Sequence, residues 1–520
     1  MMAAAQRFLA ILAADLRERT RSPRFWVVLI GMMIAAWWCF PRPDASYLIV
    51  AAHGGERGAY SSAWVGMVLA TVYSTLLSLC GFYLVRGTLV RDIDTRVWQL
   101  LVATPMTRGG YLLAKWASHM AVFLLIALVS LAVGLVAQWV HAEDRTIHLF
   151  ELVKPLLVLN LPGLAVTSML AIWFDLLPWL RRTAGNVLFF ILWVVTLSVP
   201  LAQLESPDYQ MMRTGWVSDQ NGMVLIARDL HRVREQQTGK PQEFGFNVGS
   251  PAREGGPLLF EWKSWTVRPM DLLGRTLWLL FAIAGVLLAA PLLDWAAARG
   301  STTTKARSLA GSRLRWLDRL LDPLPRGPFG ILAVAELKFS LRERRGWWWL
   351  AALLAFGLQL FGDAHAFQMG MLLAWVLPLD ILARNILQER EHGTGGLVFT
   401  APNILGRLLV VRLAVGVALL LALTLPGVLR LLATNPVAAL AALTVAFSIT
   451  SWGMCLGALC GIARPFELLL VSVAYLATQG SALLDLAVNP QFTALGHAIL
   501  LMPAWLLLAW SWPRLARRRA

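Results

Sequence analysis

Apolar runs of about twenty residues recur along most of the chain, each parted from the next by a short polar or basic stretch. A helix rises about 1.5 Å per residue, so each run is long enough to cross a hydrocarbon layer roughly 30 Å thick. The pattern predicts spans near residues 25–40, 63–85, 117–140, 152–174, 184–204 and 273–295, and six more near 347–362, 366–387, 410–432, 437–461, 465–485 and 494–512. Ahead of the first run, Phe8, Leu9, Leu12 and Leu16 repeat at helical spacing among Arg7, Asp15, Arg17 and Glu18. That spacing predicts an amphipathic helix lying at the membrane surface, unlike the unbroken apolar core of a signal peptide. The segment from 205 to 271 breaks the pattern: it carries nine Asp/Glu and eight Lys/Arg and shows no clear period.

Composition sharpens the picture. Of 520 residues, 58% are hydrophobic and 15% charged, whereas soluble domains carry about 25% charged residues, and the mean hydropathy is +0.62. The bilayer therefore takes the place of a conventional core. A net charge of +16 would suit a nucleic-acid binder, but the cations sit between apolar runs, so no nucleic-acid partner is expected. Cytoplasmic loops retain excess Lys and Arg. Arg17, Arg19, Arg21 and Arg24, then Arg86, Arg91, Arg96, Arg108 and Lys115, then Arg181 and Arg182, the stretch 299–345 and the tail Arg514, Arg517, Arg518 and Arg519 all fall on one side of an even-numbered path. This places both termini in the cytoplasm and 205–271 outside. The expected location is a bacterial cytoplasmic (inner) membrane.

The chain also repeats itself. Leu16-Arg17-Glu18-Arg19 before the first span recurs as Leu341-Arg342-Glu343-Arg344 before the seventh. Ala103-Thr104-Pro105 with Arg108 and Lys115 after the second span recurs as Thr400-Ala401-Pro402 with Arg407 and Arg412 after the eighth. Both copies start inside, which predicts parallel repeats related by an axis along the membrane normal. The expected fold is an all-α integral membrane protein of about twelve transmembrane helices in two parallel six-helix repeats, plus a small extracytoplasmic domain. Its divisions are a first half at 1–295 with the outer insertion near 205–271, a basic linker at 296–330, and a second half at 331–520.

Leu89, Ile93, Val97, Leu100 and Leu101 share one helical face and Arg91, Asp92, Asp94, Thr95 and Gln99 the other, which predicts a surface helix between the second and third spans. In the second half the matching loop reads Glu389-Arg390-Glu391-His392-Gly393-Thr394, then Thr400-Ala401-Pro402 and Arg407. This resembles the type-2 ABC exporter permeases, whose loop at this place reads acidic-x-acidic-x-Gly-Thr, then a Thr-Pro or similar pair and a basic residue. The first half is similar in Asp92-Ile93-Asp94 and Thr104-Pro105-Met106-Thr107-Arg108, but has Arg96-Val97 where Gly-Thr stands in the family pattern. The resemblance implies a membrane permease subunit with six spans per half, moving a substrate of amphipathic or lipid-like character outward. It also implies that these loops are coupling helices seated on two copies of a cytoplasmic ABC ATPase. Asp92, Asp94, Thr104, Pro105, Arg108, Glu389, Glu391, Gly393, Thr394, Pro402 and Arg407 are then the coupling residues, with the acidic pairs contacting the ATPase.

No GxxxxGK[ST] occurs, and the one Gly239-Lys240 pair runs into Pro241, so ATP and Mg belong to the partner and the chain is expected to bind no cofactor directly. The four cysteines form no CxxC and the histidines no HExxH; neither a metal site nor a catalytic constellation is expected. Within the spans, Asp380 and Arg384 are spaced for a local ion pair. Glu467 and His119 are placed at the inner interface, and Arg275 and Asp485 near the outer boundary, where they would snorkel. The 24 tryptophans, clustered at Trp37-Trp38 and Trp347-Trp348-Trp349, read as an aromatic belt. Two other functions fit twelve spans in two halves. One is a secondary transporter of major-facilitator-like architecture; the other is a membrane scaffold whose outer segment docks an extracytoplasmic protein.

Overall fold

In a computed structural model the chain divides into two compact units, Met1–Thr304 and Lys305–Ala520. The structure describes residues 2–43, 45, 47–52, 56–95, 106–181, 183–205, 219–238, 246–251, 258–295, 327–342, 344, 346–400, 403–478, 484–486 and 489–517. Most of the expected linker therefore lies outside the described residues.

The first unit begins with α1 (Met2–Thr20), which turns at Ser22 into α2 (Pro23–Trp38). Strands β1 (Tyr47–Ala52) and β2 (Glu56–Gly58) follow. Ser61 then accepts a hydrogen bond from Trp64 N and starts α3 (Ser62–Val68), which continues through a π-turn at Leu69–Tyr73 into α4 (Ser74–Val85). Next come α5 (Thr88–Asp94) and the 34-residue α6 (Arg108–His141), capped by Thr107. Then α7 (Leu149–Pro155) passes through a second π-turn at Leu156–Asn160 into α8 (Leu161–Leu176). Pro155 lacks the N–H an α-turn needs there, which is a physical reason for the wider turn. The unit ends with α9 (Thr183–Glu205), α10 (Met223–Thr238), β3 (Phe246–Pro251), β4 (Leu258–Phe260) and α11 (Pro269–Leu288).

The second unit contains α12 (Gly327–Arg342), α13 (Gly346–Phe361), α14 (Ala364–Val376), α15 (Leu379–Arg384), α16 (Gln388–His392) and α17 (Gly395–Val398). After these come α18 (Ile404–Thr434), α19 (Pro436–Cys460), α20 (Arg464–Thr478) and α21 (Pro490–Arg517). Small residues let α19 and α21 approach closely: Met454, Cys455, Ala458, Ala504, Leu508 and Trp512 form one core with Ile386 and Leu408. A second core joins Trp348, Ala352, Ala355, Ala374, Ile381 and Leu419.

Among the described residues, eight helical segments are long and apolar enough to cross a bilayer, four in each unit, and Phe25–Trp38, Gly185–Pro200 and Gly346–Phe361 are shorter apolar helices. In the eleventh expected span, 465–485, the described helix covers Arg464–Thr478, a length that does not by itself reach across about 30 Å. Outward faces are oily: Met502 is 71% exposed, Leu506 73% and Leu288 70%. Such surface suits lipid and not water, and the chain is an integral membrane protein built mainly of helices.

The segment left without a fold in the sequence is part of a mixed sheet with the order β3-β1-β2-β4, in which β1 pairs antiparallel with β2 and β3, and β2 pairs parallel with β4. Two of its strands come from residues 47–58, outside the expected 205–271 insertion. The alternation that marks a strand was obscured there, because β1 buries Leu48, Val50 and Ala51 within only six residues. Trp64 packs edge to face with Phe260 of β4 and with Trp262, and Asp219 starts α10 by accepting from the N–H groups of Asn221, Gly222 and Val224.

A buried pair ties the sheet to the helices: Arg57 makes a bidentate contact with Glu143, which also accepts from Tyr60 N at 2.9 Å. Burial alone would raise the Glu143 carboxyl, but the Arg57 and Tyr60 hydrogen bonds outweigh it and hold it below the ordinary 4.5. A depressed folded pKa adds stability above the unfolded value, which is lost as pH falls through the folded one. Glu143→Gln is therefore expected to lower the melting temperature at neutral pH, by the effect of about 3 kcal/mol that follows removal of one partner of a buried pair. The gap from wild type should close as acid protonates Glu143. Asp219 and Asp229, raised by burial, titrate in the opposite sense in both proteins, so the difference isolates Glu143. A gap independent of pH would contradict this assignment.

Asp380 and Arg275 are held differently from the sequence expectation. Asp380 does not pair with Arg384: it accepts from Arg344, while Arg384 reaches Glu391 at 3.6 Å. The local pair loses because Arg344, two residues beyond α12, approaches Asp380 more closely. Arg275 does not snorkel; it is 3% exposed and donates to the carbonyls of Asp219 and Gln220. His119 and Glu467 are buried within the protein, with His119 Nε2 at 3.3 Å from Thr88 Oγ1. Asp485 caps the approach to α21 by accepting from Asn489 N at 3.2 Å.

Candidate functional site

Tyr111 and Lys115 lie one turn apart on α6 and face the same way. Lys115 Nζ bonds Asp15 Oδ1 of α1 at 2.8 Å and Asp92 Oδ2 of α5 at 2.7 Å, and Tyr111 donates its hydroxyl to the same Asp92 oxygen at 2.7 Å. All three charged side chains are at most 9% exposed. One cation thus fastens the amphipathic N-terminal helix and the loop helix to a span. A solvated pair of Glu18 with Arg91 adds a second tie between α1 and α5.

The start of α5 is fixed just as firmly. Gly87 takes φ +90°, a conformation that side chains resist, so the chain can turn there from α4 into α5. Asp175, at the end of α8, meets the exposed amides: its carboxylate accepts from Gly87 N at 2.9 and 2.7 Å and from Leu89 N at 3.3 Å. An anion at a helix N-terminus is favourable, and Arg86 lies 3.8 Å from it. Arg86 also stacks over Phe82 and Phe174 and donates to Leu180 O. Arg19 enters the same acidic field, its guanidinium nitrogens buried and, among the described residues, without a hydrogen-bond partner; burial pulls it down to about 10, opposed by Asp15, Asp175 and Asp92.

The second unit repeats the device. Arg412 on α18 donates to both oxygens of Glu389, with Nη1 at 3.0 Å from Oε2. It also reaches Glu336 of α12 from Nε at 3.3 Å and Nη2 at 3.2 Å, and Gln388 at 3.3 Å. Asn385 donates to the Arg412 carbonyl at 3.0 Å. Glu389 precedes Arg412 by 23 residues, and Asp92 precedes Lys115 by the same interval. In each unit, then, a cation on a long span holds one carboxylate from the loop before it and one from the first described helix of the unit.

The sequence-derived residues fall into three groups. Asp92 and Glu389 are buried at 6% and 8% exposure and point into the protein. Each is bonded to the cation of its unit, Asp92 to Lys115 and Glu389 to Arg412, and so ties its loop to a long helix. Glu391, Gly393 and Arg407 are exposed, and Thr394 is half-buried beside them. Gly393 (φ +68°) ends α16, and Thr394 N returns to Glu389 O at 3.0 Å, which turns the loop into α17. Arg108 is exposed at the first turn of α6 and pairs with Asp294. Thr104, Pro105 and Pro402 lie outside the described residues, as does the Asp94 side chain.

Sequence reasoning missed Asp15, Glu336 and Asp175 as parts of the site. Asp15 was visible only as one polar residue of an amphipathic helix. Glu336 lies off the register of the Leu-Arg-Glu-Arg repeat, and Asp175 reads as an isolated acid at a span end. It also missed Leu397, which stands 81% exposed on α17 beside Glu391 in sequence. Among the described residues, no group of three or more His, Cys, Asp or Glu could hold a metal ion. The chain matches no family model, no curated protein and no solved structure.

Proposed function

We propose that this chain is the transmembrane permease subunit of an ATP-driven ABC exporter, with two six-span repeats fused in one polypeptide and driven by two copies of a separate cytoplasmic ATPase that brings ATP and Mg. The observation that carries the reading is the repeated hub, Asp15–Lys115–Asp92 in one unit and Glu336–Arg412–Glu389 in the other. A loop locked by a buried ion pair to a long span moves with that span as a rigid body. A motor pushing on the loop therefore acts on the helix. In the second unit the contact with the motor falls to the exposed residues Glu391, Leu397 and Arg407, with Leu397 as the apolar anchor that interfaces typically centre on. Eight long apolar segments, three shorter apolar helices and α20 supply the twelve spans of this reading.

Membrane-impermeant thiol labelling tests it in a background lacking the native cysteines. Thr95→Cys and Gly396→Cys are expected to react on the face that carries both termini, and Lys263→Cys on the opposite face. Labelling of Thr95→Cys and Gly396→Cys from opposite sides would remove the common surface that a pair of ATPases needs.

A further inference from the structure

Where α2 ends, Trp37, Trp38 and Arg42 face Tyr47, Val140 and His141 across a cleft of about 460 Å³. That volume lies in the range of small-molecule sites, roughly 300–1,000 Å³. Its floor is rigid. His141 Nε2 donates to Phe40 O at 3.0 Å, and its ring lies 6.2 Å from Trp37 in a stacked pair and 5.0 Å from Tyr60. Tyr60 in turn donates to Pro41 O at 2.7 Å, and Arg57, held by Glu143, sits 4.2 Å over its ring.

The walls, by contrast, are open. Trp38 is 69% exposed and Tyr47 47%. Arg42 stands exposed at the rim between Pro41 and Pro43, whose fixed φ angles restrict the backbone that carries it. Among the described residues its guanidinium has no partner and no carboxylate lines the cleft. Below it, Val136, Trp139 and Val140 continue as an exposed apolar strip along α6.

We infer that this cleft binds a phospholipid, with the phosphate on Arg42, the glycerol region against Trp38 and Tyr47, and an acyl chain along the α6 strip. Each part of the ligand meets its chemical match. A guanidinium presents two parallel donors to a phosphate, indole and phenol rings favour headgroup depth, and the strip below is hydrocarbon-like. A water-soluble anion would leave the strip and the walls unused. Only the leaflet that supplies the lipid follows from the topology proposed above; the site itself does not depend on an ATPase.

Native mass spectrometry of the full chain released from bilayers containing phosphatidylglycerol tests the assignment. Wild type is expected to retain one phosphatidylglycerol molecule more than Arg42→Glu does, and titration should show about tenfold weaker retention in Arg42→Gln at unchanged melting temperature. Trp38→Ala should weaken retention too, and inorganic phosphate should not compete. Equal retention by wild type and Arg42→Glu would overturn the proposal. Displacement by inorganic phosphate would also overturn it, in favour of a soluble anion.

Discussion

Arg412→Met should destabilise the second unit by about 3–5 kcal/mol, because it leaves Glu389 and Glu336 buried without their cation. The lost attraction is the smaller part of the effect; an uncompensated carboxylate in a low-dielectric surrounding is the larger. Arg412→Lys should recover only part of the loss. A lysine is a point charge and cannot repeat the contacts that the Arg412 fork makes with Glu389, Glu336 and Gln388. Adding Glu389→Gln and Glu336→Gln to Arg412→Met should restore most of the stability, since neutral partners need no counterion. Lys115→Met should act on the first unit in the same way, through Asp15 and Asp92. The checks are the melting temperature in nanodiscs and protease cleavage within 388–403. Arg384→Met is the control: its pair with Glu391 is about 40% exposed on both sides, and such pairs contribute about 0–1 kcal/mol. An Arg412→Met protein as stable as wild type would show that the hub holds nothing.

The second large effect is expected at Asp175. Asp175→Ala removes the acceptor of Gly87 N and Leu89 N and leaves the Arg86 guanidinium without its anion. Hydrogen bonds to a charged group contribute about 1.5–3 kcal/mol each, and the buried cation adds a desolvation cost, so a loss of about 3 kcal/mol or more is expected. The damage should be local. Amide hydrogen exchange across 87–94 should accelerate strongly while the interior of α6 stays protected, because α5 is a short helix that cannot stand without its cap. Asp175→Asn keeps an acceptor oxygen but not the charge, and should fall between the two. Unchanged exchange across 87–94 in Asp175→Ala would mean that α5 is held by other contacts.

Much of the helical architecture could be read from the chain because a bilayer imposes a length: the long apolar helices lie close to the apolar runs, and the Thr107, Asp363 and Asn435 caps start helices where polar residues interrupt them. The sheet could not be read in the same way. Its strands β1 and β3 pair residues about 200 positions apart, Tyr47 with Pro251 and Ala52 with Phe246, and β2 and β4 are three residues each, too short for a period to show. The site was legible by half. Lys115, Arg412, Asp92 and Glu389 stood out through repetition, but the two acids as contacts for a partner and not as ligands of the two cations. Their burial depends on α1 and α12 folding back over the loops, a tertiary event that brings Asp15 and Glu336 to cations 100 and 76 residues away. The same limit explains Asp380, whose obvious neighbour Arg384 turned to Glu391 once Arg344 came near.

The claim on which the functional reading turns is that the energy source is another polypeptide seated on the inner loops. Purifying the full-length chain from its native membranes and identifying what comes with it by peptide mass spectrometry tests this most directly. The expected result is an ATPase bearing a P-loop, two copies per chain, lost when Glu391→Lys, Leu397→Glu and Arg407→Glu are combined in a protein whose melting temperature is unchanged. Recovery of the chain with no nucleotide-hydrolysing companion, together with proton-gradient-driven transport by the chain alone, would contradict it.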